Sequence, residues 1–322
     1  MKEPNKRPSI HISGGKQTLT LHNPVMGASG AFGFGGEYAK LVELDLLGAW
    51  VTNPISLNPR RPASGTRIIP LDSGVLVHTG LPNPGLYKAF RQYGTRWKNS
   101  PVPVIVHLIG TSPEEISECA IILEGHEEIA AIEIGLNDSA AYREVRAIVG
   151  AARSKTQLPI LVQLPLASAP LVALPAFEAG ADALVIAAPP RGTARDPLTG
   201  RLIGGRLYGP PVKAQALRAT GLIASQVKAP IIGCGGIHSP DDARDYLEAG
   251  AAAVQIDSVV WVRPALVSLI ARDLGGLEMT RPAGSLPDEW AHNTTLPNAS
   301  TRASIFPSVM PLPPFTPPDD LP

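Results

Sequence analysis

The chain has 322 residues, and its 28 Lys plus Arg balance 28 Asp plus Glu, leaving no formal net charge at neutral pH. That balance excludes a generally nucleic-acid-coating or polybasic membrane-binding protein, while 44% hydrophobic and 17% charged residues describe a globular chain with a sizeable core. Cys119 and Cys234 supply neither a disulfide framework nor a metal-ligand cluster. No apolar run approaches the roughly 20 residues of a membrane span, and the N-terminus has no apolar signal region. The expectation is a soluble, cytoplasmic protein.

Taken from the N-terminus, residues 1–9 read as a short tail, followed by a pair of strands, Ile10–Ser13 and Thr18–Leu21, that plugs a barrel bottom. Eight apolar runs then succeed one another: Val25–Ala28, Ala49–Thr52, Val104–Ile109, Ala131–Ile134, Ile160–Leu164, Ala183–Ile186, Ile231–Gly233 and Ala253–Ile256. Each is too short and too evenly apolar for a half-exposed antiparallel strand, and fits a strand buried on both faces. The segments between them carry helix punctuation. Ser112-Pro113-Glu114-Glu115 and Ser239-Pro240-Asp241-Asp242 each supply a cap, a first-turn proline and early acids, and Gly180 and Gly250 stand where helices stop. Eight strand–helix units in about 250 residues predict an α/β fold, a (β/α)8 TIM barrel over residues 10–280, rather than an open sheet. The long connections 54–84 and 187–211 both follow strands, so they should cover the ligand-binding face. Ten of the 34 prolines fall in residues 282–322, which makes 281–322 a proline-rich tail, expected to be disordered.

A barrel of this kind binds its ligand at the C-terminal ends of the strands, often with a phosphate held by the loops after strands seven and eight. The seventh run ends Gly233-Cys234-Gly235-Gly236-Ile237, where an anion cradle and a plain tight turn are equal readings. The eighth ends Ile256-Asp257-Ser258. Ser258 is a phosphate donor, whereas Asp257 repels a phosphate if it turns inward and leaves the site intact if it turns outward to cap the next helix. Gly27-Ala28-Ser29-Gly30 suits a flat ring stacked on the barrel mouth, and equally an ordinary strand-to-helix turn. His78, Arg191, Arg206 and Tyr208 on the long connections are further candidate ligands, or plain surface residues.

Four segments carry a resemblance: Asn23-Pro24-Val25-Met26-Gly27-Ala28-Ser29-Gly30-Ala31-Phe32-Gly33, Gly80-Leu81-Pro82-Asn83-Pro84-Gly85, Ile231-Ile232-Gly233-Cys234-Gly235-Gly236-Ile237 and Gly250-Ala251-Ala252-Ala253-Val254-Gln255-Ile256. In order and spacing, from about residue 10 to 275, they resemble class 1 dihydroorotate dehydrogenases, most of all the 1B branch. The resemblance implies an FMN-containing barrel that oxidises dihydroorotate to orotate in pyrimidine synthesis. It also implies a homodimer whose electrons pass through an iron–sulfur and FAD subunit to NAD. It assigns the FMN site to Ala28, Ser29, Gly30, Asn53, Gln163, Gly209, Gly235, Gly236 and Ser258, and puts Asp138, within Glu133-Ile134-Gly135-Leu136-Asn137-Asp138-Ser139-Ala140, at the position of the family's base.

The side chains that grip orotate in the family are replaced. Asn53 and Gln163 stand where lysines are expected, Gly135, Ala140 and Val77 where asparagines are expected, and Leu184-Val185-Ile186-Ala187 lacks another. Each lost hydrogen bond to a buried polar ligand costs on the order of 1–3 kcal/mol, so dihydroorotate is expected to bind weakly. The resemblance thus implies a dihydroorotate dehydrogenase-like, FMN-dependent oxidoreductase acting on CH–CH groups. The alternative is a non-catalytic relative that keeps the barrel for binding or assembly. A phosphate-binding barrel of another enzyme class explains the glycine loops but not the ordered run of motifs.

Overall fold

In the computed structural model, residues 9–276 are described, apart from Gly36 and Thr111. The expectations for residues 1–8 and for the proline-rich 281–322 lie outside the described residues.

The chain opens with a hairpin, β1 (Ile10–Gly14) and β2 (Gln17–Leu21), and continues through β3 (Val25–Gly27) and β4 (Ala49–Val51). A second hairpin, β5 (Ile68–Leu71) and β6 (Gly74–Val77), precedes α1 (Leu86–Lys98). Alternation then sets in: β7 (Val104–Leu108), α2 (Pro113–Glu124), β8 (Ala131–Gly135), α3 (Tyr142–Arg153), β9 (Ile160–Pro165), α4 (Ala169–Glu178) and β10 (Ala183–Ala188). A third hairpin, β11 (Arg191–Arg195) and β12 (Leu202–Tyr208), leads to α5 (Lys213–Gln226), β13 (Ile231–Cys234), α6 (Pro240–Glu248) and β14 (Ala253–Ile256). Helices α7 (Val259–Val262) and α8 (Ala265–Leu274) follow.

The eight predicted runs are the staves of a closed barrel in the order β3-β4-β7-β8-β9-β10-β13-β14, every neighbour parallel. Their uniform apolarity follows from burial on both faces. Outward residues such as Val106, Ile132 and Val162 pack under the helices, while Met26, Val51, Ile105, Leu161, Val185 and Ile232 fill the interior. Ile12, Leu19 and Leu21 of the first hairpin join that interior group, so the hairpin closes the bottom as predicted. The helix signals also hold. Ser112 and Ser239 accept the backbone N–H of Glu115 and Asp242 at 3.3 and 3.1 Å. Gly180 and Gly250 follow α4 and α6 with φ of +111° and +102°, a left-handed turn that only glycine takes without strain.

The two long connections are more ordered than a loop reading implies. Their hairpins pair β12 with β6 to give one antiparallel sheet, β11-β12-β6-β5, a lid built from segments distant in sequence. Asp196 ties its far end: Oδ2 accepts the hydroxyls of Thr66 at 2.8 Å and Thr199 at 2.6 Å, while Oδ1 accepts the N–H of Leu198 at 3.0 Å.

On the outer wall, Trp97 is 2% exposed, donates Nε1–H to the Phe34 carbonyl at 2.9 Å and meets the Phe90 ring edge-on at 5.2 Å. Trp97→Ala is expected to cost about 3–5 kcal/mol, read as a lowered urea midpoint with an unchanged slope.

Candidate active site

The C-terminal ends of the staves and the lid sheet enclose a cavity of about 420 Å³. Ser29 and Gly30 after β3, His107 on β7, Gly135 on β8 and Gln163 on β9 line its floor, and Val77, His78, Arg191, Arg206 and Tyr208 line the lid side. A wider groove of about 640 Å³, between residues 39–45 and α8, lies outside the barrel wall and meets no stave end.

Parallel registry decides who stands beside whom on the floor. His107 faces Glu133 across β7 and β8, and Gly135 faces Gln163 across β8 and β9. His107 Nδ1 lies 2.7 Å from Oε1 of Glu133, whose Oε2 accepts Nε2 of Gln255 from β14 at 2.5 Å. All three side chains are buried. Asn53, just past β4, donates its backbone N–H to Gly33 at 2.7 Å, while its buried Oδ1 has no partner among the described residues. The Ser29 hydroxyl donates to the Thr52 carbonyl at 3.0 Å. The Cys234 thiol, inside the barrel, is pushed well up by burial and by the Asp257 and Glu133 carboxylates, so it stays protonated.

Asp138 lies on the lid side of the mouth and is engaged twice. Oδ2 accepts Arg191 Nε at 2.7 Å and Oδ1 accepts Arg206 Nη1 at 2.5 Å, and the same Nη1 also donates to the Pro189 carbonyl at 2.8 Å. Burial works to raise this carboxyl, but the two guanidiniums outweigh it and hold it below the ordinary carboxylate range. The residue that stands at the family's base position thus has two cations beside it, both brought by the lid.

A second group gathers after β13 and β14. Gly209 ends the lid sheet, and Gly235 and Gly236 turn with φ of +118° and +67°. They pack so closely that a Cβ on Gly236 would meet the Gly209 carbonyl oxygen at 3.0 Å and the Lys213 nitrogen at 2.7 Å. Tyr246 holds the turn by donating its hydroxyl to the Gly235 carbonyl at 2.7 Å. Asp257 points into this corner: Oδ1 accepts the N–H of Ser258 at 2.5 Å and its hydroxyl at 3.1 Å. Burial pushes the Asp257 carboxyl up, against the pull of these donors and of His238, whose Nε2 is 3.2 Å from Ser258 Oγ. Tyr208 stands between the two groups, with its hydroxyl 3.8 Å from where a Gly30 Cβ would be and its ring against Trp261 at 4.9 Å.

The structure thus brings Ser29, Gly30 and Gln163 together at the mouth, with Ala28 and Asn53 on the adjoining stave ends, and Gly209, Gly235, Gly236 and Ser258 in the neighbouring corner. Sequence reasoning missed the floor network of His107, Glu133 and Gln255. A signal was present: each is a polar residue inside an otherwise apolar run, and buried polar groups must be paired.

A family model described as dihydroorotate dehydrogenase matches residues 16–277. Among relatives, the dihydroorotate dehydrogenase B (NAD(+)) catalytic subunit of Citrifermentans bemidjiense is 34% identical over 286 residues, covering 83% of this chain and 91% of the relative. The protein of the same name from Trichlorobacter lovleyi is 34% identical, covering 83% and 93%. That from Desulforudis audaxviator is 36% identical, covering 80% and 89%.

Proposed function

The chain belongs to the dihydroorotate dehydrogenase family, and from that premise we propose that it is an FMN-dependent oxidoreductase acting on the CH–CH group of a small planar anion. The observation that carries the reading is the mouth cavity, floored by small residues and Gln163 and closed above by the lid. Family members of this type carry FMN, which supplies a two-electron acceptor when bound.

The residues here fit a flavin ring. Ala28, Ser29 and Gly30 offer a flat seat, the Gln163 amide a donor, and Asn53 Oδ1 a buried acceptor without a partner among the described residues. The backbone of Gly235, Gly236 and Ser258, beside Gly209, fits a phosphate, with Asp257 as the one opposing group. The lid's arginines hold an anion over the ring seat, and the Asp138 latch keeps the lid down and water out.

By the same reading the chain pairs with itself and passes electrons to a second, iron–sulfur and FAD subunit. The relatives' names, which specify a catalytic subunit and NAD(+), support a further subunit and NAD as the final acceptor. Among the described residues no helix is long and apolar enough to cross a membrane.

The test is a titration of the purified chain with FMN, followed by quenching of flavin fluorescence. Saturable binding of one FMN per chain is expected; a colourless protein that ignores added FMN overturns the reading. One observation favours a second reading, a barrel kept for binding or assembly without catalysis: the Asp257 carboxylate already uses the donors a phosphate needs.

A further inference from the structure

An oxidation of a CH–CH group needs a proton acceptor, and the carboxylate at the expected position is spent. Both oxygens of Asp138 are engaged by arginines, which keep its basicity low. The Cys234 thiol stays protonated. On the floor, the geometry is different. Glu133 is fully buried, and as a carboxylate it only accepts hydrogen bonds. With Gln255 Nε2 on one oxygen and His107 Nδ1 on the other, it selects the imidazole tautomer that carries its proton on Nδ1. Nε2 then bears the lone pair and has no hydrogen-bond partner among the described residues. It packs against Gly135, where the missing side chain makes room for the ring (a Cβ there would stand 2.5 Å from Nε2), and His107 lines the cavity. A cavity-lining imidazole oriented by a buried carboxylate is the arrangement of a general base.

We propose that His107, oriented by Glu133, is the proton acceptor of this cavity, taking a proton at Nε2 from a C–H or N–H acid of a bound planar anion. The substrate's bond to hydrogen breaks with its electron pair left on the substrate, an N–H bond forms at Nε2, and Glu133 balances the imidazolium across Nδ1. The anionic class follows from the cavity walls, where the guanidiniums of Arg60, Arg191 and Arg206 outnumber the carboxylate of Asp138. The inference rests on the oxidoreductase reading for the use made of that proton.

Two measurements on the full chain decide it. In nitrogen-resolved NMR of histidine-labelled protein at neutral pH, His107 should show a protonated Nδ1 and a bare Nε2, and Glu133→Gln should abolish that bias. A proton on Nε2 in the wild type overturns the assignment without any variant having to fold. Deuterium transfer from D2O into the ring C–H of dihydroorotate, used as probe at high concentration, should occur with wild type and fall by about 10²- to 10⁴-fold in His107→Asn. No transfer with wild type, or equal transfer in the variant, also overturns it. FMN titration of the same samples reports the flavin reading separately, so the two failures are distinguishable.

Discussion

Replacing Asp257 by glycine should tighten FMN binding by about 10- to 100-fold at neutral pH and leave riboflavin, which lacks the phosphate, unchanged. The reason is local. The N–H and hydroxyl of Ser258 both point at Asp257 Oδ1, in the corner that Gly235 and Gly236 shape, so a carboxylate of the same chain already holds these donors. A phosphate arriving there must displace that carboxylate or lie against it, and like charges at contact oppose binding by a few kcal/mol even in a moderately polar corner. Equal FMN affinity in the two proteins means that Asp257 does not confront the phosphate.

The pH dependence follows with a definite sign. Burial raises the Asp257 carboxyl, so lowering the pH neutralises it before it would an ordinary carboxylate, and wild-type FMN affinity should rise as pH falls through that raised range. His238 acts in the same direction. Burial holds it below the usual histidine range despite Asp257 and Asp242 nearby, and protonation would add a cation beside Ser258. Tyr208, Tyr246 and Cys234, which also face Asp257, are all pushed upward and stay neutral. The ratio of variant to wild-type affinity cancels protonation of the FMN phosphate and leaves Asp257 together with its effect on His238, which loses an upward pull when the carboxylate goes. The raised pKa also means that the charged carboxylate costs the fold stability above the unfolded carboxylate range. Asp257→Asn should therefore raise the melting temperature at neutral pH, with the gain vanishing below about pH 3.

Why the sequence revealed the barrel but not the lid is a matter of burial. Staves such as Ile160–Pro165 and Ala183–Ala188 are buried along their whole length, so hydrophobicity alone marks them. Arg191–Arg195 alternates between exposed and half-buried positions, Leu202–Tyr208 is mostly exposed or half-buried, and their sheet closes only through β6, far back in the chain. No local window contains that pairing. The same distance hid the electrostatics of Asp138. Its place at the mouth was readable from the motif around it, but its partners lie 53 and 68 residues further on, and only the lid brings them back. Asp257 was legible as a conflict and needed coordinates to resolve its direction. His107, Glu133 and Gln255 differ from both: their polarity stood out within apolar runs, and the parallel registry that joins the first two is a direct consequence of the predicted barrel.

Asp138→Asn should raise affinity for orotate, taken as a planar anionic probe, by about tenfold over wild type, measured by calorimetry on the FMN-loaded chain. In the wild type Arg191 and Arg206 spend their charge on Asp138, and an incoming carboxylate has to compete with it. Removing the negative charge while keeping the side chain's size frees two guanidiniums whose planar forks match a carboxylate. The gain stays near tenfold because Asp138 and Arg191 are partly solvated, and solvent screens exposed pairs. Acid does not reproduce the effect at working pH. The arginines keep Asp138 ionised to below the ordinary carboxylate range, so its contribution to the closed lid persists above that range and is lost only as pH falls through the lowered value. The same substitution should loosen the lid, seen as faster amide exchange in residues 191–208, because the latch joins the loop after β8 to both strands of the third hairpin. Arg206→Ala separates the two consequences: it also opens the lid, but it removes a cation and should weaken orotate. If both variants weaken orotate equally, the latch matters for closure alone, and the lid's arginines are not the anion's partners.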